Sequence, residues 1–211
     1  MMAVTTSILD LVGNTPLVAI PHGRNPKVSV FAKLESANPS GSVKDRAARG
    51  MILAAQAGGL LEGRTLLEAT SGNTGIALAM MCAGLGVPCE LALPKNASPE
   101  RKLLLARYGA TLHLTSPMEG TDGAQAEATR LVEAESDRYY YPDQYNNEQN
   151  WKAHFDGTGP EIWAQTDGQV THFVTGLGTS GTFVGTSRFL KEKGVTCLSV
   201  QPNNPMHGLD G

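Results

Sequence analysis

Three short segments hold residues whose types and spacing could do chemistry. Residues 38–46, NPSGSVKDR, bring Lys44 in behind the small residues Ser40, Gly41 and Ser42 and the apolar Val43. Most lysines are solvated surface charges. A lysine at a strand–helix junction, by contrast, can be desolvated, which lowers its pKa and frees a neutral, nucleophilic amine. Schiff-base chemistry needs such an amine. Residues 70–75, TSGNTG, follow a strand-like run and lead into a helix-like one. There the exposed N–H groups of a helix start, the hydroxyls of Thr70, Ser71 and Thr74, and the helix dipole favour an anion such as a carboxylate. Taken alone, the segment has a second reading as a capped helix after a tight turn.

Residues 176–182, GLGTSGT, sit in the same strand-to-helix setting. Glycines let backbone approach a phosphate, and Thr179, Ser180 and Thr182 add hydroxyl donors. No Gly-Lys-Ser/Thr follows, so this is not a Walker loop. A phosphate cradle, a carboxylate cradle and a special lysine together suggest an amino acid held over pyridoxal phosphate.

These loops need rigid elements on either side. Short apolar runs predict strands over 16–20, 28–34, 65–68, 89–93, 111–114, 172–174 and 196–200. Helical patterns fall over 43–57, 74–85, 99–108, 124–135, 159–165 and 182–193. Such alternation predicts an α/β fold with mainly parallel sheets covered on both faces. Ser98 followed by Pro99 marks a helix start, and Gly109 the matching stop. The polar and aromatic stretch 137–150, DRYYYPDQYNNEQN, separates two βα series and reads as a crossing between domains. After 196–200 the chain runs through Pro202, Pro205 and Gly208 without a closing helix, which suggests an incomplete sheet.

Composition narrows the partners. The 211 residues carry 17 basic and 20 acidic side chains, a net charge of −3, which offers no basic field to nucleic acid or anionic lipid. No apolar stretch reaches the length of a membrane span, and the start MMAVTTSILDLVG has no secretory pattern. The 24 glycines exceed the usual share of about 7%, and six of them fall in the three loops. Cys82, Cys89 and Cys197 show no paired spacing and read as free, packed thiols of a reducing cytoplasm. The histidines at 22, 113, 154, 172 and 207 show no metal-ligand spacing and read as packing residues. Asp45 beside Arg46 reads as a local ion pair.

NPSGSVKDR, EATSGNTG, GPEIW and GLGTSGT, in this order, resemble the fold-type II pyridoxal-phosphate enzymes. Within them the chain is most similar to the cysteine synthases (O-acetylserine sulfhydrylases), particularly the B-type. SILDLVGNTPLV and DQYNNEQN fit the same pattern. The resemblance implies a two-domain, tryptophan synthase β-like architecture with the cofactor between the domains. Residues 1–37 with 145–211 would form the larger domain, and 38–144 the smaller, mobile one. It also implies pyridoxal 5'-phosphate held by Lys44 as a Schiff base, with Lys44 later removing the substrate α-proton. Asn73 would bond the ring hydroxyl oxygen; Gly178, Thr179, Ser180, Gly181 and Thr182 would hold the phosphate. Thr70, Ser71, Thr74 and Gln144 would bind the substrate carboxylate.

The implied reaction is β-replacement, making L-cysteine from O-acetyl-L-serine and sulfide or thiosulfate, in a homodimer that can meet serine acetyltransferase. Cystathionine β-synthase-like or dehydratase chemistry is a second enzymatic reading, and a non-catalytic cofactor-binding fragment a third. Members of the family continue past the equivalent of Gly211 and supply a serine toward the pyridine nitrogen, so the resemblance implies a C-terminally truncated chain.

Overall fold

The structure, a computed structural model, describes residues 4–203 except His22, Arg24 and Ser71. The start of the chain forms an antiparallel pair, β1 (Leu17–Ile20) and β2 (Val30–Lys33), with Leu17 opposite Lys33. Helix α1 (Lys44–Ala57) then leads to β3 (Thr65–Ala69), α2 (Asn73–Leu85), β4 (Cys89–Pro94), α3 (Pro99–Arg107), β5 (Thr111–Thr115), α4 (Gly120–Ala134) and β6 (Tyr139–Tyr140). These strands make a parallel sheet in the order β5-β4-β3-β6. Helix α5 (Gln149–Ala153) passes through one π-helical turn, His154–Thr158, into α6 (Gly159–Gln165). A second parallel pair, β7 (His172–Gly176) and β8 (Thr196–Val200), flanks α7 (Gly181–Lys191).

The local causes are ordinary. β4 is buried at all six positions and β3 at four of five, the pattern of parallel strands covered on both faces. Leu66, Leu91 and Leu93 face the cluster that includes Ile52, Leu78 and Met81 of α1 and α2, while Leu67, Ala69 and Ala92 pack against Ala124, Ala128 and Leu131 of α4. Helix α2 is apolar all round and is accordingly buried from Thr74 to Cys82. Ser98 caps α3 by accepting the Arg101 N–H at 3.3 Å, Pro99 opens it, and Gly109 follows its end at φ 80°, as expected from the sequence. Cys82 and Cys89 are buried free thiols, and Cys197 is half-buried and free.

Some elements differ from the expectations. The helix expected from 124 starts at Gly120. Two short elements, β6 and α5, fall in or beside the stretch read as a crossing. Pro205 and Gly208, in the expected uncovered tail, lie outside the described residues, as do His22 and His207. Asp45 and Arg46 do not pair with each other. Asp45 is buried and accepts hydrogen bonds from the Ser40 N–H, at 2.7 Å, and the Ser40 hydroxyl. Arg46 pairs with Glu35 and Glu161 instead. Neighbouring helical residues point about 100° apart, so a sequential pair rarely meets.

Two glycines let α7 lie against α5 and the π turn. A Cβ on Gly185 would stand 2.0 Å from the Trp151 carbonyl oxygen and 2.8 Å from His154 Cβ. Gly185→Ala is therefore expected to push α7 off its seat and destabilise the fold by about 3 kcal/mol or more. Urea denaturation of the two proteins measures this; equal midpoints would show that the contact is not rigid.

Candidate active site

All three chemistry-bearing segments end up at helix starts. Lys44 is the first residue of α1, is half-buried rather than fully desolvated, and its N–H donates to Ser42 Oγ at 3.2 Å. The turn before it is closed by a Gly41 N–H to Asn38 carbonyl bond of 2.8 Å, with Gly41 at φ 88°. Ser40, held on Asp45, fixes the rest of the loop.

Thr70 is buried at the end of β3, and its hydroxyl accepts the Gly72 N–H at 3.2 Å. Asn73 opens α2, and no side chain caps that end, so its first amides keep their hydrogen-bonding capacity. Thr74 Oγ1 donates to Gln144 Oε1 at 2.9 Å, across 70 residues of sequence. Ser71 lies outside the described residues.

At the third loop, Ser180 takes the left-handed conformation at φ 64° and precedes α7, again with no side-chain cap. The N–H groups of Gly181, Thr182 and Phe183 thus have no partner within the helix ladder, where the first bond runs from the Val184 N–H to the Ser180 carbonyl. A Cβ on Gly181 would come within 2.2 Å of Asn150 Oδ1, so only glycine fits there.

Two residues outside the expected site set, Asn150 and His154 (the latter read from the sequence as packing), connect these pieces. Asn150 is buried, and its Nδ2 donates to the Gln144 carbonyl at 2.8 Å and to Thr179 Oγ1 at 3.0 Å. A polar chain therefore runs from Thr74 through Gln144 and Asn150 to Thr179, joining the 70–75 loop to the 176–182 loop. His154 is buried with Nδ1 2.8 Å from Thr158 Oγ1 and Nε2 3.3 Å from Thr182 Oγ1. Burial first, then the charges of Arg46 and Lys44, push its pKa down to about 4, so it is neutral at pH 7. Asn150 closes the polar run DQYNNEQN, and the density of amides there is the one sequence signal that could have marked it. His154 carried none.

This donor set fits a phosphate-bearing cofactor: uncapped amides and threonine hydroxyls at α7, a second uncapped helix start at α2, and a lysine within range of a neutral histidine. A separate cavity of about 490 Å³, lined by Arg46, Arg49, Gln149, Asp156 and Glu161 among others, contains none of the expected site residues. Among the described residues no cluster of His, Cys, Asp or Glu could hold a metal, and no helix is long and apolar enough to cross a membrane.

Asn150→Ala would remove two buried hydrogen bonds and leave the Gln144 carbonyl unpaired, a cost of about 1–3 kcal/mol. The expected result is cofactor affinity weakened by about tenfold or more, measured by absorbance titration with pyridoxal phosphate. Unchanged affinity would show that Asn150 only fills space.

The comparisons with known proteins agree with this geometry. The model of the family described as pyridoxal-phosphate dependent enzyme matches residues 8–209. The chain belongs to the pyridoxal-phosphate dependent enzymes, with the fold of the fold-type II group. More particularly, it is 54% identical to a cysteine synthase of Aquifex aeolicus over 97% of its own length and 65% of that protein. It is 47% identical to cysteine synthase B of Salmonella typhimurium, over 90% of this chain and 64% of that one. The crystal structure of a cysteine synthase from Entamoeba histolytica superposes with a TM-score of 0.90 at 37% identity, covering 95% of this chain and 62% of that one. The chain thus spans just under two thirds of the length of these relatives.

Proposed function

We propose that this chain binds pyridoxal 5'-phosphate and, by β-replacement on O-acetyl-L-serine, makes L-cysteine with sulfide or S-sulfo-L-cysteine with thiosulfate. The observation that carries this reading is the chain of hydrogen bonds from Thr74 through Gln144 and Asn150 to Thr179, which ties the 70–75 loop to the 176–182 loop. Similarity to cysteine synthases supports the substrate assignment.

In this reading Lys44 holds the cofactor covalently and takes the substrate α-proton on Nζ. When bound, pyridoxal phosphate supplies an electron sink for the charge that proton removal leaves. Thr70, Ser71, Thr74 and Gln144 orient the substrate carboxylate, so that the Cα–H bond is presented to Lys44. Asn73 orients the ring through its hydroxyl oxygen. Gly178, Thr179, Ser180, Gly181 and Thr182 bind the phosphate, and neutral His154 fixes the Thr182 hydroxyl. Acetate leaves before the sulfur nucleophile arrives, which gives ping-pong kinetics.

The same reading makes 38–144 a smaller unit that closes on a larger one formed by 1–37 and 145–211. It places the protein in the cytoplasm as a homodimer able to bind serine acetyltransferase. The test is the visible spectrum of the protein with pyridoxal phosphate, before and after O-acetylserine. A yellow lysine adduct whose band shifts with O-acetylserine is the expected result. An adduct that ignores O-acetylserine would point to a different amino-acid substrate, and no adduct would overturn the proposal.

A further inference from the structure

Glu68 lies in β3, two residues before Thr70, and is 1% exposed. Its Oε1 accepts the Ala69 N–H at 3.0 Å and its Oε2 accepts the Gln144 N–H at 3.3 Å. Tyr141 lies within its electrostatic reach as well. Gln144 then reaches Thr74 through its own side chain. The carboxyl therefore stands behind the substrate-carboxylate cradle, one hydrogen bond from Gln144.

Titratable groups acting on Glu68 or acted on by it include Tyr140 of β6, Tyr141 and Asp143 just beyond it, and Cys89 of β4. None is a cation, and Asp143 is negative. Leu66 and Leu67 are fully buried beside it in the same strand, and an apolar residue would suffice if position 68 only filled the core. An acid buried without a cation is costly when charged, so it must be neutral or serve a purpose.

We propose that Glu68 is a positioning residue for the amino-acid carboxylate: neutral, it seats Gln144 under the 70–75 loop, and ionised, it repels the bound carboxylate. The proposal rests on the assignment of Thr70, Thr74 and Gln144 to substrate binding. Burial, with Asp143 adding to it, pushes the Glu68 pKa up to about 8 in spite of the Ala69 and Gln144 hydrogen bonds. The neutral form therefore prevails at pH 7, and the repulsion sets in within the next two pH units.

The experiment uses the cofactor-loaded chain and L-serine, which carries the same carboxylate and amine but no acetate leaving group. Dissociation constants for L-serine are read from the spectral shift at pH 7 and pH 9, for the unsubstituted chain and for Glu68→Gln. Taking the ratio of the two proteins cancels titration of the ligand amine and of Lys44. That ratio, whatever its value at pH 7, is expected to rise about tenfold by pH 9, as one added proton equilibrium dictates. A flat ratio with binding intact overturns the role of Glu68 alone. If L-serine shifts neither spectrum at any pH, the carboxylate site itself is wrong and the proposal falls with it. Infrared titration of the cofactor-free chain gives a readout independent of turnover and of the variant's folding. A buried carboxyl band that disappears between pH 7 and 9 supports the proposal, and a carboxyl already ionised at pH 6 overturns it.

Discussion

Lys44→Ala is expected to abolish covalent attachment of the cofactor and to lower β-replacement by about 10³-fold or more. Two separate losses combine in this number. Under the proposed function the amine would be the attachment point, and the same nitrogen, once released, would be the base for the α-proton, a role worth about 10²–10⁴-fold on its own. The substitution leaves the scaffold alone: Lys44 opens α1, where alanine is a good helix former, and the loop before it is held by Ser40 on Asp45 and by Gly41 on Asn38. A folded protein without the adduct is thus the expected product. Borohydride reduction followed by peptide mass spectrometry checks attachment, and cysteine formation from O-acetylserine checks turnover. A pyridoxyl adduct on another lysine, or turnover near that of the unsubstituted chain, would remove Lys44 from the mechanism. His154 offers an internal control, because loss of the Lys44 charge removes one of the influences that lower its pKa. Its NMR titration should move upward in the variant.

The sequence made the loops legible for a physical reason. A backbone that must approach an anion needs glycine, and a helix start that must stay open to a ligand is flanked by small hydroxyl residues. Both leave marks within six or seven consecutive positions, as in TSGNTG and GLGTSGT. The buried strands β3 and β4 are legible because covered parallel strands read as apolar runs. Two-residue β6 is too short for any period, and α5 with its π turn lies in a polar stretch whose helical face is set by packing on α7 through Gly185 and Gly181. What stayed hidden is long-range. Thr74 meets Gln144 across 70 residues and Asn150 meets Thr179 across 29, and no local pattern encodes either contact. Glu68 left a faint trace as the one charged residue inside the buried run TLLEA, a place where charge is rare.

Arg46 shows the same limit with a larger consequence for stability. Its side chain is 4% exposed and holds two carboxylates at once. Nε donates to Glu35 Oε2 at 2.6 Å and Nη1 to Glu161 Oε1 at 2.7 Å. Nη2 reaches both carboxylates and Thr15 Oγ1. Lys33 adds a second cation on Glu161 at 2.6 Å, and the Asn14 N–H a further hydrogen bond at 3.0 Å. The residues before β1, the β2 end, α1 and α6 therefore meet on one guanidinium, two positions from Lys44. Arg46→Ala leaves Glu35 and Glu161 facing each other with only Lys33 to balance them, and is expected to cost about 3–5 kcal/mol at pH 7.

The pH dependence gives that prediction a sign. Burial opposes ionisation of Glu161, but the hydrogen bonds of Arg46 and Lys33 prevail and hold its pKa at about 2; Glu35 is likewise held low by Arg46. A carboxylate with a folded pKa below its unfolded value stabilises the fold fully above pH 4.5, and loses that contribution as pH falls toward 2. In Arg46→Ala the carboxylates lack their main partner, and protonation relieves their repulsion instead. The gap between the two proteins should accordingly be widest at neutral pH and narrow below pH 4.5, where the unsubstituted chain loses stability faster than the variant. Urea denaturation at pH 7 and pH 3.5 measures both gaps. A gap that stays constant would mean that Arg46 contributes by packing its stem, with the charges of Glu35 and Glu161 balanced elsewhere.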